Sequence, residues 1–152
     1  VPFKQPRSIQ VVIFADTPSE RRYLLLRRIA SQGGFWQSVT GSLEDGETHA
    51  DAAVREVLEE TGITSTADAL IDLDVLNTFE IAPQWRDLYA PGVTHNEERC
   101  FALKVRESAV KVDLLEHQAY AWEPYERAVK MLYWESTRRA FAAATRILRP
   151  SL

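Results

Sequence analysis

The chain has 152 residues, of which 45% are hydrophobic and 26% charged, enough to bury one substantial core. Its net charge of −4 excludes the broad positive stripe of a nucleic-acid binder, so no nucleic acid polymer is expected as a partner. No apolar run reaches the roughly 20 residues of a membrane span, and no leader pattern precedes Ser8. One cysteine, Cys100, cannot form an internal disulfide. A single cytoplasmic domain over residues 1–152 is therefore the expectation, while the oligomeric state is not legible in the sequence.

In chain order, SIQVVIFA (8–15) reads as a buried strand, DTPSE as a turn and RYLLLRR (22–28) as the partner strand. IASQGG follows as a loop and FWQSVTG as a short extended segment. A helix opens near Thr48, whose hydroxyl can cap it together with Asp51, and closes at Gly62. Ala53, Val54, Val57 and Leu58 are expected to form its apolar face. LIDLDVLNTFEI (70–81) and RCFALKV (99–105) alternate as strands do, with Cys100 facing inward. APQWRDLYAPGVTHNEE, between them, reads as an irregular excursion. QAYAW is the last strand, Pro124 opens the helix PYERAVKMLYW, and Ser136 caps TRRAFAAATRILR. Arg138, Arg139, Arg146 and Arg149 read as solvated helix charges. The pattern predicts an α/β sandwich around a mixed sheet.

The capped helix carries Glu56, Glu59 and Glu60. At about 100° of rotation per residue, the three carboxylates share one face, where like charges four apart destabilise a helix by a few tenths of a kcal/mol. Such a cluster is either a solvated face or a cation site. Spacing decides for the cation: Gly41, five residues, Glu47, seven residues, Arg55-Glu56, Val57, then Glu59-Glu60, Gly62 and Ile63 resemble the complete Nudix box, with no fixed position missing. The resemblance implies the Nudix α/β/α sandwich with a loop-helix-loop catalytic box, and a pyrophosphohydrolase acting on a small-molecule triphosphate. It makes Glu56, Glu59 and Glu60 metal ligands, one of them positioning or deprotonating the water. Hard carboxylate oxygens suit Mg²⁺, with Mn²⁺ as a substitute. Gly41 brings backbone close to the substrate, Arg55 pairs with Glu47 to fix loop to helix, and Gly62 closes the box. His49, His95 and His117 show no recurring ligand spacing and receive no role.

Outside the box, FWQSVTGSLEDGET, LYAPGVTHNEERCFAL, EHQAYAW and WESTRRAF resemble the dihydroneopterin triphosphate diphosphatase branch of that family. This implies release of pyrophosphate from 7,8-dihydroneopterin triphosphate, leaving the monophosphate. It implies Glu116 as an additional metal ligand and Lys4, Arg28 and Thr40 as substrate contacts. Phe79 or Trp36 would stack on the ring. For Glu116 to reach the metal, the segment from Lys111 to Ala119 must fold over the box helix, packed by Leu114 or Leu115. The alternatives are a nucleotide-pool enzyme acting on dATP or an oxidised deoxynucleotide, and a nucleotide-binding module without catalysis.

Overall fold

Strand β1 (Arg7–Asp16) lies at the centre of the sheet in the computed structural model, which describes residues 3–108 and 110–148. Ile9, Val11 and Ile13 point to one core, Val12 and Phe14 to the other. Burial on both faces explains why SIQVVIFA reads as a nearly continuous apolar run. β6 (His95–Lys104) runs parallel to β1, from Arg7 opposite Glu97 to Phe14 opposite Lys104. On the other side, β2 (Arg21–Arg28) pairs with β1 only at Phe14–Asp16. The two strands then splay. Into the gap enter β3 (Trp36–Gln37), which pairs with β2, and β4 (Val39–Ser42), which pairs with Ser8–Val11 of β1. β5 (Ile71–Glu80) lies antiparallel to β6, and β7 (His117–Pro124) antiparallel to β2, completing a seven-stranded mixed sheet.

Helix α1 (His49–Thr61) covers one face through Ala52, Ala53 and Val57. Helices α2 (Tyr125–Met131) and α3 (Glu135–Ile147) cover the other, where Ala128, Ala140, Ala143 and Ala144 allow close approach and Phe141 fills the space against Tyr23. The result is the expected α/β/α sandwich, with Cys100 buried in its second core. Among the described residues no helix is long and apolar enough to cross a membrane.

Three local expectations need correction. β6 starts at His95, inside the stretch read as irregular, because Asn96 and Glu98 alternate inward while His95 and Glu97 face out; the period of two is present but written in polar letters. Ser136 does not cap α3. The helix begins at Glu135 after Trp134, and Arg138 donates to the carbonyls of Leu132 and Tyr133. On α1, Leu58 is 49% exposed while Val57 is fully buried, so the apolar arc is turned toward Ala52, Ala53 and Val57 and carries Glu60 and Thr61 inward with it.

That rotation is measurable. Val57→Ala should lower the unfolding free energy by about 2 kcal/mol through lost burial and a residual cavity, and Leu58→Ala should change it by less than about 0.5 kcal/mol, both read from urea denaturation midpoints.

Candidate active site

The loop entering α1 is built around Arg55. Its Nε and Nη2 donate to the two oxygens of Glu47 at 2.8 and 2.9 Å, forming a bidentate pair. Nη2 also donates to the Ser42 carbonyl at 3.0 Å, and Nη1 to Glu56 at 2.8 Å and Glu59 at 3.3 Å. Glu47 accepts in turn from the Glu44 backbone N–H, and the guanidinium beside it holds its carboxyl below the usual range. One side chain thus joins strand, loop and helix. Thr48 and Asp51 form a reciprocal capping box, and Gly62, at φ 76°, closes the helix in the left-handed region that favours glycine.

Gly41 has a different reason to be glycine. A Cβ there would lie 2.2 Å from Cδ of Glu56, so the bare backbone of β4 is what lets the Glu56 carboxylate lie against it. Burial raises the Glu56 carboxyl above its ordinary value despite the neighbouring guanidinium of Arg55.

One turn further on, Glu60 is 2% exposed, and neither of its oxygens has a hydrogen-bond partner among the described residues. Burial, then the charges of Glu56 and Glu116, push its carboxyl well above the usual range. His117 Nε2 stands 3.7 Å from Glu60 but brings no compensating charge, since burial and the nearby Arg28 push the imidazole down to about 4. Gln37 Nε2 lies 3.2 Å from the same ring nitrogen; with the amide donating, that lone pair is already engaged. Glu116 approaches from the loop before β7, and ligand atoms of Glu60, Glu116 and His117 fall within 4.8 Å of one another. A buried carboxylate without a hydrogen-bond donor, beside two like charges, is costly. The group fits a hard divalent cation held by the carboxylates, with His117 as a neutral wall.

The three helix carboxylates do not converge equally. The Glu59 side chain is 54% exposed, against 13% for Glu56 and 2% for Glu60, since residues four apart follow the inward arc of α1 while position 59 lies on its outer side. His117 was not signalled by spacing, although it adjoins Glu116 in the chain. The segment carrying Glu116 does fold against α1, but not through leucines. Leu114 and Leu115 are 77% and 80% exposed. Val110 and Val112 pack on the first core instead, Lys111 N–H donates to the Thr61 carbonyl at 3.0 Å, and the Asp113 carbonyl accepts from Glu116 and His117 N–H.

A cleft of about 1050 Å³ opens beside this group. Arg28, Thr40, Gly41, Glu56 and Glu116 line it, as do Lys4 and Phe79. Arg28 Nη1 lies 3.7 Å from Glu116, and Lys4 Nζ sits 5.9 Å from the centre of the Tyr89 ring. Trp36 is not in the cleft: it packs against the second core and bridges to Leu132. The aromatic wall comes from Phe79, Phe35, Trp85, Tyr89 and Trp134. Arg139, expected in solvent, also lines the cleft, together with Asn96 and Glu98 of the hidden start of β6. Arg149 lies outside the described residues.

Residues 4–144 match the NUDIX domain, and the chain belongs to that family. It is 42% identical over 140 residues to the dihydroneopterin triphosphate diphosphatase of Escherichia coli (strain K12), covering 91% of both chains. It is 38% identical to the Haemophilus influenzae protein of the same name, over 85% of this chain and 80% of that one. The solved structure of the Escherichia coli dihydroneopterin triphosphate pyrophosphohydrolase superposes with a TM-score of 0.77, covering 91% of this chain and 94% of that chain. The protein is a Nudix pyrophosphohydrolase.

Gly41→Ala tests the close approach to Glu56. The added methyl must displace that carboxylate, so kcat should fall on the order of a hundredfold while circular dichroism and the melting transition stay near wild type.

Proposed function

We propose that the protein releases pyrophosphate from 7,8-dihydroneopterin triphosphate, leaving the monophosphate, in a reaction that depends on Mg²⁺ with Mn²⁺ as a substitute. The observation that carries this reading is the cleft itself, in which Glu56 and Glu116, the neighbours of buried Glu60, share one space with an aromatic-walled ring site. The names of the relatives supply the ring. Glu56, Glu60 and Glu116 would hold the cation, with Glu59 as the outer, solvent-facing member of the set. The bound ion would neutralise phosphate charge and make its water more acidic.

The chain's own groups do the rest. Arg28 and Lys4 place positive charge beside the phosphates, and Arg28 also restrains Glu116. Thr40, at the edge where β4 meets the cleft, offers a hydroxyl to the substrate. Arg55 stays bound to Glu47 and Glu56 and so positions the helix carboxylates without touching substrate. Phe79 provides a flat face for the ring. β4 and β5 are separated by β1 and β6, about 14 Å at the usual strand spacing. That span separates the carboxylate end from the ring end and accommodates a triphosphate tail. A dATP pyrophosphohydrolase would use the same carboxylates and differ only at the ring.

Two measurements test the proposal. Glu60→Gln should lower kcat on the order of a thousandfold, yet melt higher than wild type at neutral pH when both are free of metal, because a carboxyl that ionises more readily in the unfolded chain than in the fold is removed; wild-type turnover by the folded variant would contradict the assignment. With Mg²⁺ present, dihydroneopterin triphosphate should give pyrophosphate as product and a kcat/KM about tenfold or more above that of dATP, equivalent to about 1.4 kcal/mol. Orthophosphate as the product, or a preference for dATP, would refute the reading.

A further inference from the structure

β1 and β6 carry a row of polar side chains that the phosphate chemistry does not use. On β1, Ser8 and Gln10 have the same parity as Val12 and Phe14, which α3 and its neighbours cover. On β6, Asn96 and Glu98 precede Cys100 and Ala102 of that same core. Where the helical cover ends, the sheet face becomes a polar floor, and Ser8, Asn96 and Glu98 line the cleft.

Glu98 is 6% exposed and held in one orientation. Ser38 Oγ donates to Gln10 Oε1 at 2.6 Å, which turns the Gln10 amide nitrogen toward Glu98 Oε1 at 2.9 Å. Asn77 Nδ2 donates to the same oxygen at 3.1 Å. Both donors take Oε1, and Oε2 has no hydrogen-bond partner among the described residues. Two residues earlier on the same face, Asn96 donates to Ser8 Oγ at 2.8 Å and its Oδ1 is buried without a partner. Burial raises the Glu98 carboxyl above its ordinary value, while the Asn77 and Gln10 amides and then Arg139 act in the opposite direction. Phe79 sits directly opposite Asn96 in the β5–β6 ladder, which sets a flat apolar face beside the free acceptors.

We infer that Glu98, with Asn96 beside it, is the specificity-determining reader of the substrate ring, accepting hydrogen bonds from the adjacent ring N–H and exocyclic amine of a 2-amino-4-oxopyrimidine. The inference rests on the proposed triphosphate diphosphatase reading and adds the group that selects the base. A dihydropterin and a guanine both present that pair of neighbouring donors. Adenine presents an amine beside an unprotonated ring nitrogen, which would face an acceptor and remain unpaired, and a site built on buried hydrogen bonds rejects such a mismatch strongly.

Glu98→Gln inverts the edge while keeping the shape. Its carbonyl remains with Gln10 and Asn77, so the amide nitrogen faces the cleft. The ratio of kcat/KM for dihydroneopterin triphosphate to that for dATP should fall about tenfold or more, in a variant shown to be folded by circular dichroism. An unchanged ratio, including one in which both activities fall together, overturns the inference and leaves Glu98 a structural group. If wild type does not hydrolyse dihydroneopterin triphosphate, the proposed substrate fails, and the dGTP to dATP ratio in the same two proteins decides the role of Glu98 by the same criterion. If the variant does not fold, wild type is compared on dGTP and dITP. A drop of about tenfold on losing the exocyclic amine supports the inference, and equal kcat/KM refutes it.

Discussion

The Arg55 guanidinium is the interaction on which the site depends. Its fixed planar fork matches a carboxylate in two bonds and still has donors to spare, and here those donors tie Glu47 of the loop, the Ser42 carbonyl of β4 and Glu56 of its own helix to one point. Lysine at this position would provide the charge without the fork. With Arg55 engaged by Glu47 and Glu56, Glu60 has no hydrogen-bond partner among the described residues, and the charge of Arg28 only partly offsets its burial and the charges of Glu56 and Glu116. The helix therefore carries an electrostatic cost that a bound divalent ion would offset.

The sheet supplies the other half of the design. Because β1 and β2 pair over only three residues before they part, the β3–β4 segment can enter between them and bring Thr40 and Gly41 to the cleft while Gln37 and Ser38 are buried beside it. The far wall comes from the opposite direction, through β6 and β5. The proposed phosphate and ring contacts thus lie on different strands of one surface. Their separation is set by strand spacing rather than by a flexible loop. The exception is the loop carrying Glu116, whose tip exposes Leu114 and Leu115 and which is held by Asp113, by Lys111 on the end of α1 and by the Ile29 N–H.

Charge is distributed to suit this layout. A chain with net charge −4 would repel a triphosphate, and the box adds more acid at the point of contact. Arg28, Lys4 and Arg139 line the cleft and offset that locally, and a bound divalent ion would convert the acidic end from repulsive to attractive.

Much of this was legible in the letters. Local signals identified the box helix, its Thr48–Asp51 cap, its Gly62 stop, the Arg55–Glu47 pair and most strands, because capping and alternation depend on residues close in sequence. The spacing of the box pointed to a cation site for the same reason. Other features had no local signal. That Glu60 and not Leu58 turns inward depends on how α1 is rotated against β1 and β4. His117 and Glu116 meet Glu60 only because β7 pairs with β2 and so brings its first residues against α1. Gly41 reads as a flexible residue, yet its need comes from a carboxylate fifteen positions away in the chain that packs on it. Asn96 and Glu98 looked like part of a polar loop because inward alternation is recognised by apolar residues, and here the inward face is the floor of a cleft. Residue identity determined the chemistry available to this protein; the tertiary structure decided which carboxylate lost its solvent, since burial is a property of packing between distant segments.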